Sequence, residues 1–333
     1  MNRIKVSFVV IALNAAATIT TLFDCIKRQT YPHELIEIIL VDGCSIDGTK
    51  EIMEKFALEN CSFGGIQILN NPGKTLPCGW NIALKAVSGD AIVRVDAHCF
   101  ISDDFIELNV CNIEKGENIC GGKVVSIPAE NTAWSIVVNE AENSMFGGSF
   151  ATFRHAETVR YVDTAAFAMY RKCVFDNVGY YNEILTRTED NEMHYRIRRA
   201  GYKFYYDPQI VSYRKTRPSF GKLLKQKYLN GYWIGRTLGI EPRCISIYHF
   251  VPLAFVIAII LTLCLSLSGI LWPMVTLCCL YGAVNISISV IAALSNKEKN
   301  IYYLCLPLIF LMLHICYGVG TVIGIIQIYK NCY

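Results

Sequence analysis

Acidic side chains close two of the apolar runs in this chain. Asp42 ends IEIILVD and is followed by Gly43, Ser45, Asp47, Gly48 and Thr49, while Asp96 ends AIVRVD and is followed by Ala97 and His98. A carboxylate at a strand end beside a glycine-rich turn can accept hydrogen bonds from a base or ribose, or hold a cation that bridges phosphates. Each is also what a turn or a helix N-cap uses, and Asp47 before Gly48-Thr49 suits capping. The third acidic feature is RTEDNEMHYRIRRAGY, where Thr188 can cap a helix that Gly201 ends, with Glu189, Asp190 and Glu192 in its first turn. Such carboxylates can supply a general base. They can equally belong to a surface helix held by the Glu192–Arg196 pair and an inward stripe of Met193, Ile197 and Ala200.

The elements that carry these acids alternate. VSFVVIAL, Val6 to Leu13, follows Arg3 and Lys5 like a signal peptide, but no small-residue cleavage site comes after it, so it reads as a buried parallel strand. A helix is expected near 17–28, a strand at 36–41, a helix near 48–59, strands at 65–69 and 91–96, and a helix at 78–87 between the last two. The βαβα order predicts an α/β fold with a mostly parallel sheet, helices on both faces, and ligands at the carboxyl ends of the strands.

Composition divides the chain. Of 333 residues, 53% are hydrophobic and 18% charged, which excludes disorder and a disulfide miniprotein. All but three of the 31 basic residues and all but one of the 28 acidic ones precede Cys244. The remainder reads as an α-helical transmembrane tail, residues 245–333, with apolar spans at about 247–267, 272–294 and 301–329. The fifteen cysteines show no Cys-x-x-Cys spacing, which points to small buried thiols in a reducing compartment. Before the tail, residues 214–244 form a basic juxtamembrane segment in which Leu224, Tyr228 and Tyr232 recur at helical spacing. That pattern is expected to lie as an interfacial helix against anionic lipid headgroups, and nucleic acid is not an expected partner. Lys297 and Lys299, with this segment, orient the spans so that the first 213 residues face the cytoplasm of a cell (inner) membrane protein. His314, inside the third run, is expected to be a packed, hydrogen-bonded side chain.

Taken together, VIALN, VDGCSIDGT, VRVDAH, VDTAAFAMYRK and TEDNEMHYRIRRAG, in this order, resemble the GT-A fold (Rossmann-like) family 2 glycosyltransferases, particularly their succinoglycan-biosynthesis-like branch. The resemblance covers roughly residues 5 to 235. It implies a nucleotide-sugar donor, with UDP expected, bound by Ala12, Asn14, Asp42, Lys74 and Asp96, and a divalent ion, Mn2+ or Mg2+, held by Asp96 and His98. It implies Asp190 as the base, Glu189 as its neighbour, and inversion at the anomeric carbon. Ala15, Ala16 and Ala17 depart from the acidic residue that many members carry after the position of Asn14. Ala168 and Met169 replace an expected glycine-containing step.

The Gln-x-x-Arg-Trp motif of processive synthases is absent, so a single sugar is expected to pass to a polyprenyl-diphosphate-linked saccharide in exopolysaccharide or other surface-glycan synthesis. Arg214 and Arg217 are candidates for the acceptor phosphate. The alternatives are a processive synthase and a catalytically silent membrane scaffold with the same fold.

Overall fold

The computed structural model describes residues 3–148, 156–216, 219–296 and 300–330. In chain order these form β1 (Val6–Ala12), α1 (Ile19–Lys27), β2 (Ile36–Asp42), α2 (Thr49–Glu59), β3 (Gly65–Asn70), α3 (Leu76–Ala86), β4 (Ala91–Arg94), β5 (Cys99–Ile101), α4 (Phe105–Glu114), β6 (Ile119–Ile127) and α5 (Ala133–Asn143). Then come β7 (Arg160–Val162), β8 (Met169–Arg171), α6 (Lys172–Val178), α7 (Glu189–Arg199), β9 (Phe204–Lys215), α8 (Phe220–Thr237), α9 (Val251–Leu267), α10 (Trp272–Ser295) and α11 (Leu306–Lys330).

The first compact unit, residues 1–125 and 151–215, holds one mixed sheet in the order β3-β2-β1-β4-β8-β6-β9-β5, with β7 on β9. Alternate residues of β1 explain why that strand is apolar throughout. Val6, Phe8 and Val10 pack with α1, α2 and α4, whereas Val9 packs on the other face with α3, α6 and α7. A strand covered on both sides has no face left for polar residues. The exception is instructive: buried Glu37 of β2 accepts hydrogen bonds from Ser7, Ser88 and the Gly89 N–H. Burial pushes its pKa up, but these donors outweigh it and hold the carboxylate below its ordinary range.

The sheet is less parallel than expected. β3, β2, β1 and β4 run parallel, but β4–β8, β6–β8, β5–β9 and β7–β9 are antiparallel. Three-residue strands such as β5, β7 and β8 are too short to show a hydrophobic period, so only the parallel half was visible as a pattern.

The second unit, residues 126–150 and 216–333, takes a stretch that the expected continuous 1–213 domain would have included. The cause is apolar: Val137, Val138 and Ala141 of α5 share a core with Leu223 of α8 and Leu306, Ile309, Phe310 and Leu313 of α11. Three helical stretches, Ile247–Leu267, Trp272–Ser295 and Ile301–Ile328, are long and apolar enough to cross a membrane. Lys297 and Lys299, on which the expected orientation leaned, lie outside the described residues.

The helix expected to lie on the membrane surface, α8, packs along α11. A Cβ at Gly231 would come within 2.0 Å of the Tyr317 carbonyl oxygen, and one at Gly320 or Gly324 within 2.1 Å of the Tyr228 or Tyr232 carbonyl oxygen. Glycines four apart on both helices let the backbones touch, which a pattern of aromatic residues does not reveal. His314 is hydrogen-bonded at both ring nitrogens, to the Tyr281 hydroxyl at 2.9 Å and the Phe146 carbonyl oxygen at 2.6 Å.

Candidate active site

Parallel register brings the expected donor residues to one edge of the sheet. Ala12 pairs with Asp42, and Asp42 pairs with Asn70, so β1, β2 and β3 all end level. The loop after β1 is laced to the loop after β2. Asn14 N–H donates to Ser45 Oγ at 2.9 Å, Ile46 N–H to Asn14 Oδ1 at 3.0 Å, and Ala15 N–H to Thr49 Oγ1 at 2.8 Å. Ala16 N–H donates to Asp47, whose other oxygen accepts from Thr49, so Asp47 is a structural clasp. Asp42 is buried and accepts from Ser45 N–H at 3.1 Å.

Outside glycine, the described residues adopt a left-handed conformation at only four positions, namely Asn14 (φ 51°), Cys44 (φ 60°), Lys74 (φ 56°) and Phe167 (φ 52°). Each costs energy and each lies in a loop around this edge or the pocket beside it, which is where strain is tolerated for function. Lys74 is exposed, in the loop between β3 and α3.

Asp96 lies two residues beyond the end of β4, in the turn that leads to β5. Asp96, His98 and Cys99 each offer a ligand atom, and these atoms lie within 4.8 Å of one another. Asp190 opens α7 on a half-exposed turn, and the carboxylates of Asp96 and Asp190 share one cation. Arg94 Nη2 is 3.3 Å from Asp96 and 4.0 Å from Asp190. Beside them a pocket is lined by Trp80, Arg94, Ala165, Phe167, Ala168, Tyr170, Tyr181, Asp190 and His194. Ala168, where a glycine-containing step was expected, is part of this wall.

Residues 7–179 match the family described as Glycosyl transferase family 2. The chain is a family 2 glycosyl transferase. It is 24% identical over 328 residues, covering 97% of both chains, to the dolichyl N-acetyl-alpha-D-glucosaminyl phosphate 3-beta-D-2,3-diacetamido-2,3-dideoxy-beta-D-glucuronosyltransferase of Methanococcus voltae. It is 26% identical to the succinoglycan biosynthesis protein ExoA of Rhizobium meliloti, over 69% of this chain and 68% of that one. Among solved structures, a mannosyltransferase of Pyrobaculum calidifontis, in complex with GDP-Man and Mn2+, shares the fold. It has a TM-score of 0.60 at 16% identity, over 97% of this chain and 88% of that one.

In this transferase the donor set suits a hard or borderline divalent ion, since a half-buried carboxylate and a half-buried imidazole stand together at a strand end. The Cys99 thiol is the softest of the three and sits in the core, so Asp96 and His98 are the residues that would hold the ion. On β9, Arg214 lies directly opposite Cys99 of β5. Opposed residues of an antiparallel pair share a face of the sheet. Arg217 lies outside the described residues.

Three further residues of the site escaped the sequence reading. Arg94 is one, although a cation inside AIVRVD was itself a cue, because a charge in a buried strand needs a partner. Trp80, stacked on Tyr181 at 5.1 Å, and His194 are the others. His194 joins two motifs through hydrogen bonds to Thr164 Oγ1 (2.7 Å) and the Tyr170 hydroxyl (3.0 Å). Burial lowers its pKa to about 4, so it stays neutral near pH 7 and acts as a brace.

Glu189 is buried, and desolvation followed by the charge of Asp190 pushes its pKa up to about 8. It therefore carries a proton at neutral pH. A raised carboxyl pKa stabilises the fold below the ordinary carboxylate range, and that stability is lost as pH rises from about 4.5 through about 8. Glu189→Gln is expected to remove this dependence: melting followed by circular dichroism from pH 5 to 9 should show the variant gaining on the native transferase as pH rises. Parallel curves would contradict the assignment.

Proposed function

We propose that this transferase moves a single sugar, with inversion, from a nucleotide-sugar donor to a lipid-linked saccharide at the cytoplasmic face of a membrane. The observation that carries the reading is the pairing, around one cation and one pocket, of a carboxylate fit for a metal-bound diphosphate with a separate carboxylate open to an acceptor. Ala12, Asn14, Asp42 and Lys74 bind the nucleotide, with a UDP-sugar the expected donor. Asp96 and His98 would hold a divalent ion, which when bound would stabilise charge on the departing diphosphate. Asp190 accepts the proton of the acceptor hydroxyl as its oxygen bonds to the anomeric carbon and the bond to the phosphate oxygen breaks. Attack from the side opposite the leaving group inverts the configuration. Protonated Glu189 adds no second negative charge beside the base.

Arg214, opposite Cys99 on β9, is a candidate for the acceptor phosphate, whose oxygens suit a guanidinium fork. Arg217 shares that role. A lipid diphosphate acceptor and a membrane anchor go together, since confinement to one surface raises the effective concentration of the reacting hydroxyl. The membrane-length helices and the dolichyl N-acetyl-alpha-D-glucosaminyl phosphate in the name of the Methanococcus relative support a lipid-linked acceptor.

A processive synthase is the competing reading. It is favoured by 23% identity to the poly-beta-1,6-N-acetyl-D-glucosamine synthase of Staphylococcus aureus, of whose length the match covers 52%. The test uses membranes containing the full chain, a panel of nucleotide sugars with Mn2+, and a synthetic prenyl diphosphate saccharide, with products sized by mass spectrometry. One added sugar is expected. A ladder of repeated additions would establish the synthase, and no turnover of any donor would leave the silent scaffold.

A further inference from the structure

Arg94 is the last residue of β4, and its neighbours Ile92, Val93 and Val95 are fully buried apolar side chains. The arginine itself is 8% exposed. Burying a guanidinium is costly unless its charge and its N–H groups are met. Scaffolding arginines of this fold meet that demand with main-chain carbonyls. Arg171 donates to the Glu117 and Ile113 carbonyl oxygens, and Arg196 to those of Val178 and Tyr180 as well as to the Glu192 carboxylate. Arg94 does not. Among the described residues its side chain reaches Asp96 at 3.3 Å, Asp190 at 4.0 Å and the face of Trp80 at 5.3 Å, and its Nη1 is buried without a hydrogen-bond partner. An arginine whose polar contacts are two site carboxylates, at the expense of one unmet N–H group, is placed for the site more than for the strand.

We infer that Arg94 is a positioning residue that ties the donor-side carboxylate Asp96 and the acceptor-side carboxylate Asp190 to one rigid guanidinium, fixing the separation between the two halves of the transfer. The inference rests on the reading of Asp96 and Asp190 given under the proposed function. Asp96 sits in a turn and Asp190 in the first turn of a helix, so no shared backbone element sets their distance. Two like charges left to themselves repel, and a shared cation offsets that repulsion. Both acids are reached by the one Nη2, and the guanidinium lies over the Trp80 ring at 5.3 Å, a cation–π contact that helps hold its direction. Reacting groups misplaced by about 1 Å lose on the order of a hundredfold in rate, so the separation matters to turnover more than to binding.

The test is Arg94→Lys, which keeps the charge and removes the fork. On the full chain in detergent, Mn2+ binding is read by the electron paramagnetic resonance of free Mn2+, with no donor present. Turnover is read in the native and Asp190→Asn backgrounds, and melting is followed in parallel. Expected are a Mn2+ affinity weakened several-fold, a kcat lowered about tenfold with the donor KM within about twofold, and an unchanged melting temperature. In the Asp190→Asn background the same substitution should cost less than about twofold, because the group it positions is already disabled. Native Mn2+ affinity in Arg94→Lys overturns the inference, as does a loss that multiplies in full with Asp190→Asn. Should Arg94→Lys not fold, Arg94→Gln, which keeps a planar N–H donor without the charge, is read by the same cycle. A native transferase that turns over no donor would sink the proposed function, whereas the Mn2+ measurement judges Arg94 by itself.

Discussion

Replacing Asp190 by Asn is expected to lower kcat by roughly a hundredfold or more while nucleotide affinity stays within about twofold. The carboxylate opens α7 with its side chain 44% exposed, on the wall of the pocket, where an acceptor hydroxyl can reach it. An amide of the same shape preserves packing and the turn but cannot take the proton. Since the residues proposed to bind the nucleoside lie at or just beyond the ends of β1, β2 and β3, binding of the donor is not expected to pass through this side chain. Steady-state kinetics with calorimetric nucleotide titration separates the two quantities. An unchanged kcat would show that another group removes the proton, and a matching fall in nucleotide affinity would move Asp190 to the donor side.

Asp96→Ala is expected to have an effect at least as large, but of a different kind. Loss of a ligand to the divalent ion removes several kcal/mol of stabilisation from the departing diphosphate, roughly a thousandfold in kcat/KM. Unlike Asp190→Asn, it should also abolish the Mn2+ dependence of nucleotide binding. Chelation of metal from the native transferase should reproduce the defect, and adding Mn2+ back should restore the native protein but not the variant. The check is a nucleotide titration with and without Mn2+ for both proteins. If Asp96→Ala keeps a Mn2+-dependent affinity, the ion is held elsewhere and the Asp96–His98 assignment fails.

Much of the site was legible because its residues sit at ends of strong patterns. Apolar runs of six or seven residues announce β1 and β2, and a residue at the end of a parallel strand is presented to the ligand edge whatever the rest of the fold does. Asp42 and Asp96 could therefore be singled out as strand-end acids, whereas a role for Asp190, in the first turn of a helix, came from the family resemblance. So could the three membrane-length helices, since a span needs only length and hydropathy, both local properties.

Tertiary structure alone decided what depends on residues far apart in the chain. The antiparallel half of the sheet is built largely from strands too short to carry a period, and its register sets Arg214 opposite Cys99. Packing of α8 depends on glycines of α11 that lie some ninety residues away, a contact that no local pattern in α8 announces. The buried cation between Asp96 and Asp190 shows the same division. Sequence determined that an arginine stands in an apolar strand and that two acids stand at element ends. Only folding determined that the arginine meets both acids, because a Coulomb partner is chosen by distance in space, to which spacing along the chain is blind.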